Sequence, residues 1–203
     1  MNNSLFIASS NPGKIREIKT ILAPLDLKVV SIQDVPLVIQ VSETGSTYAE
    51  NAQIKAIAYQ QKTQMVVLAD DSGLEVGPLS GAPGLHSARY SPKAEADDRD
   101  RRHYLLKQLL DKPQPWEAHF HCTAILAVPG GEFYETSGQC HGIIIPQERG
   151  SGGFGYDPIF YLPAYDATMA ELPSNVKNAI SHRAKALFAM FPHLCRVFSL
   201  DSK

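Results

Sequence analysis

Asp70 and Asp71 follow the apolar run Val66-Val67-Leu68-Ala69 and precede Ser72-Gly73. Such a run reads as a buried strand that delivers two acids to the rim of a sheet, where a turn begins. Side-by-side carboxylates repel each other unless a cation or a shared proton compensates. The pair therefore points to a Mg²⁺ site facing a phosphate-bearing substrate, with a solvated loop after a strand as the alternative.

Cations in unusual places strengthen the first reading. Ser9-Ser10-Asn11-Pro12-Gly13-Lys14 follows the strand-like Ser4-Leu5-Phe6-Ile7-Ala8. Asn11 is a good N-cap and Pro12 suits the first helical position, so a helix is expected over 11–23. A strand, a small-residue loop and a helix start together offer free N–H groups and a helix dipole to an anion, although the sequence is not a Walker A motif. At about 100° per residue, Lys14 shares a stripe with Ile18, Ile21, Leu22 and Leu25. A second helix, capped by Ser46 or Thr47 and expected to run to about Lys62, with Glu50 placed as in a capping box if Thr47 is the cap, sets Lys55 among Tyr48, Ala52, Ala56 and Tyr59. A third, expected over 174–191, sets Arg183 among Val176, Ala179, Ile180, Leu187, Met190 and Phe191. A lysine on such a face either snorkels or meets an anion, and a buried guanidinium needs an acidic partner.

The remaining elements supply the frame. Strands are expected over 4–8, 27–32 and 66–70, and residues 36–45 read as irregular edge or loop. Residues 117–128 and 132–145 form a long antiparallel hairpin around Pro129-Gly130-Gly131. Helices are also expected over 86–90 and 94–110, the latter with a charged outer face of Asp97, Asp98, Arg99, Asp100, Arg101 and Arg102, read as solvated. His119 and His121 share one side of the hairpin strand, opposite Phe120, Cys122, Ala124, Leu126 and Val128. With no third ligand at a recognisable spacing they read as a wet strand face rather than a metal pair. In Gly150-Ser151-Gly152-Gly153-Phe154-Gly155-Tyr156-Asp157-Pro158, glycines flank two aromatics and a carboxylate, so backbone and ring can approach a flat ligand closely; a flexible hinge is the alternative.

With 203 residues, 44% of them hydrophobic, the chain can bury a sizeable core as one domain over 1–203. A formal charge of −2 and no long basic run argue against a nucleic-acid polymer as partner. The start of the chain lacks a signal-peptide pattern and no apolar run approaches membrane-spanning length, so a cytoplasmic location is expected. Cys122, Cys140 and Cys195 lie outside any CxxC pattern and suggest neither a disulfide framework nor a zinc cluster.

These stretches closely resemble the non-canonical purine NTP pyrophosphatase family, the inosine/xanthosine triphosphate pyrophosphatases. The matching pieces are Ser9-Ser10-Asn11-Pro12-Gly13-Lys14, Thr44-Gly45 with Glu50-Asn51 and Lys55, Asp70-Asp71-Ser72-Gly73-Leu74, Gly81-Ala82-Pro83-Gly84 with Ser87-Ala88-Arg89-Tyr90, residues 152–158, and Ser181-His182-Arg183. The resemblance implies an α/β fold with an elongated mixed central sheet, helices on both sides and two lobes around an active-site cleft, usually as a homodimer. It implies Mg²⁺-dependent hydrolysis of ITP, dITP and XTP to the monophosphate and pyrophosphate, which removes deaminated purines from the nucleotide pool. Carried over by position, Ser9, Ser10, Asn11, Pro12, Gly13, Lys14 and Lys55 hold phosphates, Asp71 is the catalytic carboxylate and a Mg²⁺ ligand, and Ser72 touches substrate. Phe154, Gly155, Tyr156, Asp157, Lys177, His182 and Arg183 enclose base and sugar. Many members carry an acid two residues before the Thr-Gly, where this chain has Ser42 with Glu43 beside it, so a second protein ligand to the metal stays open. Two rivals remain: a nucleotide sensor without turnover, and a hydrolase that releases orthophosphate.

Overall fold

The computed structural model describes residues 4–35, 39 and 41–200. Among these residues a seven-stranded sheet is formed by β1 (Ser4–Ile7), β2 (Lys28–Ser31), β3 (Val66–Val76), β4 (Trp116–Ala127), β5 (Phe133–Ile144), β6 (Phe160–Leu162) and β7 (Ala167–Thr168), in the order β2-β1-β3-β4-β5-β6-β7. The sheet is mixed: β1 pairs in parallel with both β2 and β3, whereas β6 is antiparallel to β5 and to β7. The chain divides into two compact units, of which unit 1 is Met1–Asp71, Cys122–Gly138 and His182–Lys203, and unit 2 is Ser72–His121 and Gln139–Ser181. No helix among the described residues is long and apolar enough to cross a membrane.

In unit 1, strands are buried on both faces, and their period of two sorts side chains cleanly. Leu5, Ile7, Leu68, Cys122, Ala124 and Leu126 pack with Ile15, Ile18 and Leu22 of α1 (Pro12–Leu22) and with Leu187, Met190 and Leu194 of α5 (His182–Phe198). The alternate residues Phe6, Ala8, Val67, Ala69, Ile125 and Ala127 meet Ala52, Ala56 and Tyr59 of α2 (Tyr48–Thr63). Helices thus cover both sides of the unit 1 strands.

Unit 2 has its own core, in which Leu74, Val76, Trp116, Phe120, Ile144 and Phe160 pack with Leu105 and Leu109 of α3 (Asp98–Leu109). The expected helix over 94–110 starts later because Asp97 closes a capping box with Asp100. Of the helix expected over 86–90, residues 86–89 lie in a 3-10 turn, Gly84–Arg89, which Tyr90 ends.

Two boundaries depart from the sequence reading. The single helix expected over 174–191 is broken at Ser181, which is extended (φ −64, ψ 159), giving α4 (Ser174–Ile180) and then α5. The break changes the phase of the faces: in α4 the buried residue is Lys177, not the apolar stripe. Pro192 lies inside α5 and does not end it, because burial of Leu194 and Phe198 beyond it offsets one lost backbone hydrogen bond. Of the loop expected over 36–45, residues 36–38 and 40 lie outside the described residues, and 41–45 form no regular element.

Candidate active site

β3 runs unbroken through both aspartates to Val76, so the acids sit in mid-strand and not at a strand end. The Ser-Gly that reads as a turn is carried through because Leu74 and Val76 are buried in the core of unit 2. Adjacent strand residues point to opposite faces. Asp70 and Asp71 therefore make their direct ion pairs with different partners, although Asp70 still raises the pKa of its neighbour.

Asp70 shares the face of Leu68 and is 2% exposed. Its Oδ2 lies 3.0 Å from Lys14 Nζ and 3.2 Å from Arg183 Nε, and the Cys122 thiol donates to it at 3.8 Å. Burial alone would raise its pKa, but Lys14, Arg183 and Lys55 outweigh burial and hold the carboxyl well below the usual range. Burial and the same carboxylate push the Cys122 thiol up to about 12, so it stays protonated. Arg183 is 1% exposed and also pairs with Glu17 of α1, which answers the need for acidic partners on its face. Desolvation works against its charge, but Asp70 and Glu17 overcome it and raise its pKa. A direct base contact, as carried over from the resemblance, requires Arg183 to leave these partners. The start of α5 is seated against β5 at Gly138, where an added Cβ would come within 2.4 Å of the His182 carbonyl oxygen. His182 is buried there as the first residue of α5.

Asp71 lies on the opposite face, with Ala69 and Val67, toward α2. Lys55 Nζ is 3.7 Å from Asp71 Oδ1 and 2.9 Å from Glu43 Oε1. Burial is the largest influence on Asp71 and raises its pKa; Lys55 and Lys14 oppose that rise, and Glu43 and Asp70 add to it. Lys55 shows the converse balance, with desolvation pulling it down but Asp71, Asp70 and Glu43 raising it overall. Glu43 is fixed through its neighbours: Asn51 Oδ1 accepts from the Gly45 N–H at 2.8 Å, and a Cβ on Gly45 would come within 2.6 Å of Glu50 Cβ. Thr47 caps α2 by accepting from the Glu50 N–H, while Glu50 accepts from Ser46 N–H and hydroxyl.

The 9–14 loop has the expected helix start. Asn11 Oδ1 accepts from the N–H groups of Gly13 (2.8 Å) and Lys14 (3.1 Å), and Ser9 Oγ accepts from the Asn11 N–H (3.3 Å). Three N–H groups that the sequence offers to an anion thus have internal acceptors, while Ser10, Asn11 and Pro12 are exposed.

Unit 2 holds Ser72, Phe154, Gly155, Tyr156, Asp157 and Lys177. Asp157 Oδ2 accepts from the Phe154 N–H at 2.8 Å and pairs with Lys177, whose Nζ stands 4.8 Å from the Phe154 ring centroid. Gly153 adopts φ +72, and a Cβ there would collide with Asp157 Oδ2 at 2.0 Å, so the turn requires glycine. Phe154 is half-buried, whereas the Tyr156 ring is in the core and its hydroxyl donates to the Ser87 carbonyl at 2.9 Å. Of the two aromatics in this loop, Phe154 is therefore the one whose ring is not sunk in the core. The charged run of α3, read as a solvated face, in fact reaches the same loop: Asp98 Oδ2 accepts from the Gly155 N–H at 2.7 Å, and Arg102 Nη1 donates to the Gly155 carbonyl at 2.8 Å. Arg102 is buried and also engages Glu148 at 3.0 Å.

In the sequence reading Glu43 stands only as the neighbour of Ser42, Asp98 and Arg102 read as solvated, and Glu17 goes unremarked. Glu17 carried a signal, an acid beside Ile18 on the packing side of α1. The others act through chain-distant partners and carried none. Among the described residues, one group of three side chains with metal-ligating spacing was found, Glu75, His119 and His121 of unit 2.

On this mixed α/β fold, a buried carboxylate of raised pKa beside an ammonium is an arrangement able to take a proton from water next to positive charge. The chain belongs to the Ham1 family, whose model matches residues 5–193. It is 46% identical over 191 residues to a dITP/XTP pyrophosphatase of Geobacter sulfurreducens, covering 94% of this chain and 96% of that one. A dITP/XTP pyrophosphatase of Listeria monocytogenes is 43% identical over 202 residues, 99% of each chain. Among solved structures, a HAM1 protein from Coxiella burnetii superposes with a TM-score of 0.84 at 38% identity, covering 95% of this chain and 98% of that one. The Ham1 protein of Staphylococcus aureus gives 0.82 at 39% identity, over 94% and 97%.

Proposed function

We propose that this chain hydrolyses non-canonical purine nucleoside triphosphates, with ITP, dITP and XTP as substrates, to the nucleoside monophosphate and pyrophosphate. The observation that carries the mechanism is the placement of Asp71, a buried carboxylate with its Oδ1 3.7 Å from Lys55 Nζ on the α2 side of β3. Asp71 takes a proton from a water molecule that attacks the α-phosphorus. The new P–O bond forms as the bond from the α-phosphorus to the α–β bridging oxygen breaks, and pyrophosphate departs with that oxygen and its electron pair. Such chemistry is mostly positioning and charge neutralisation. Lys55 and Lys14 supply fixed positive charge, with Ser9, Ser10, Asn11, Pro12 and Gly13 at the exposed start of α1 as further phosphate contacts.

Asp71 and Glu43 offer the hard oxygen donors that suit Mg²⁺, and Asp70 Oδ1 is a buried acceptor with no hydrogen-bond partner among the described residues. In this reading Asp71 holds the ion and Glu43, in place of an acid at Ser42, is the second carboxylate. Bound there, Mg²⁺ supplies charge neutralisation to the polyphosphate. Phe154 stacks on the base, worth roughly 1–3 kcal/mol per base, while Lys177, Asp157 and Gly155 shape the loop that presents it, with Ser72 and His182 as further substrate contacts. A donor opposite the purine 6-position pairs with the oxygen of hypoxanthine or xanthine and clashes with the amino group of adenine. The chain is proposed to act as a homodimer on a cytoplasmic nucleotide pool.

Incubation with ITP, XTP, GTP or ATP plus Mg²⁺, followed by identification of the phosphate product, tests this reading. Pyrophosphate with IMP or XMP is the expected result, with ATP a poor substrate. Orthophosphate as first product, or tight ITP binding with no turnover, would overturn it.

A further inference from the structure

We propose that unit 2 carries a second cation site, built for a late first-row divalent ion such as Zn²⁺ from Glu75, His119 and His121. His119 and His121 are two apart on β4 and so project from the same face, and β3 contributes the third ligand that no sequence spacing announces. One ligand atom from each of the three side chains lies within 4.8 Å of the others, and all three residues are half-buried. His119 Nε2 and Glu75 Oε2 are already 3.3 Å apart. Ligand atoms about 2.0–2.1 Å from a tetrahedral ion are roughly 3.3–3.4 Å from each other, so that pair needs no movement and the remaining gap closes by side-chain rotation.

The chemistry separates this site from Asp71. Two imidazoles and one carboxylate suit zinc, whereas Mg²⁺ prefers oxygen alone. Gln139 of β5 places its amide 3.3 Å from His121 Nδ1. That amide presents its nitrogen to Nδ1, so an ion on His121 Nε2 requires the amide to turn over and accept from Nδ1–H, the outer-shell arrangement usual for metal-bound histidines. The His141 ring centroid is 5.2 Å from that of His119, and the three ligands leave a fourth position open. A cavity of about 720 Å³ lined by Glu75, His119 and His141 leaves that position accessible to water or a small anion. The occupied site ties β3 to β4 within unit 2 and is independent of the nucleotide chemistry proposed above.

The test uses the full, tag-free chain after chelator treatment, titrated with Zn²⁺ by calorimetry and with Co²⁺ by visible absorption, without nucleotide. Saturation at one equivalent is expected, with the Co²⁺ d–d bands of a four- or five-coordinate ion. Glu75→Gln, His119→Asn and His121→Asn each weaken binding by about ten-fold or more, and Asp71→Asn leaves it unchanged. In the wild-type chain, Co²⁺ shifts the His119 and His121 imidazole resonances ahead of all others, a readout that needs no variant. No saturable binding, binding of undiminished affinity in the His119→Asn/His121→Asn double variant, or loss of binding in Asp71→Asn alone would overturn the proposal and leave Glu75 and His119 as an ordinary hydrogen-bonded pair.

Discussion

On one face of the unit 1 strands, Asp70 meets Lys14, Arg183 and Cys122; on the other, its covalent neighbour Asp71 meets Lys55 and Glu43. Both carboxyls are buried, yet their pKa values move in opposite directions. Desolvation is the largest influence on each, and the outcome depends on how much positive charge opposes it. Asp70 has two cations in direct contact and stays ionised as a structural counter-charge. Asp71 meets Lys55, with Glu43 nearby, and there burial prevails and its pKa rises. A strand gives two identical side chains opposite pKa shifts by pointing them apart.

The largest expected effects come from substituting these two residues. Asp71→Asn should lower turnover by about 10²–10⁴-fold, the usual contribution of a general base, with nucleotide affinity retained. Its melting temperature should be unchanged or slightly higher, because an environment that disfavours the charge does not miss it. Asp70→Asn should instead destabilise by about 3–5 kcal/mol, since Lys14 and Arg183 are left without their shared carboxylate. That corresponds to a fall in Tm of about 6–20 °C for a chain of this size. Equal losses of stability in the two variants, by thermal or urea unfolding, would erase the contrast.

The pH dependence separates them further. Asp70, with a depressed folded pKa, contributes stability that is present above its ordinary value of 3.8 and is lost as pH falls below it. Asp71 acts in the opposite sense, since its folded form binds a proton more readily and stability declines as pH rises through its raised pKa. Asp70→Asn should therefore flatten the acid limb of the stability curve, and Asp71→Asn should not. In kinetics, Lys55→Met should move the acid limb of kcat/KM to higher pH, and Glu43→Gln should move it lower, because one removes an opposing cation and the other a like charge. The smallest effect is expected at Arg102→Ala, which frees the Gly155 carbonyl. It should raise KM several-fold, of the order of 1 kcal/mol for one hydrogen bond, with kcat nearly unchanged; a loss confined to kcat would contradict its positioning role.

Much of this was legible in the residues. Lys14, Lys55 and Arg183 stood out because a charge on an apolar helical stripe demands a partner, and the Asn11 cap was plain from side-chain type. Ser46 and Thr47 were both candidates for the α2 cap that Thr47 makes. The hairpin was visible in its alternation and its Pro-Gly-Gly turn. The opposite facing of Asp70 and Asp71 was concealed by Ser72-Gly73, which reads as a turn unless the buried Leu74 and Val76 are known to extend the strand. Nothing local marks the break at Ser181, since serine is compatible with a helix, so the phase of Lys177 was misread. Arg102, Asp98 and Glu75 find partners tens of residues away, and a charge whose partner lies on another strand or loop looks solvated in one dimension.

The most direct measurement of the central contrast is a carboxyl-carbon NMR titration of aspartate-labelled protein, with the two resonances assigned through Asp70→Asn and Asp71→Asn. Asp71 should titrate above 3.8, while Asp70 stays ionised to the lowest pH at which the chain remains folded. Two coincident titrations, or an Asp70 that protonates before Asp71, would contradict the account.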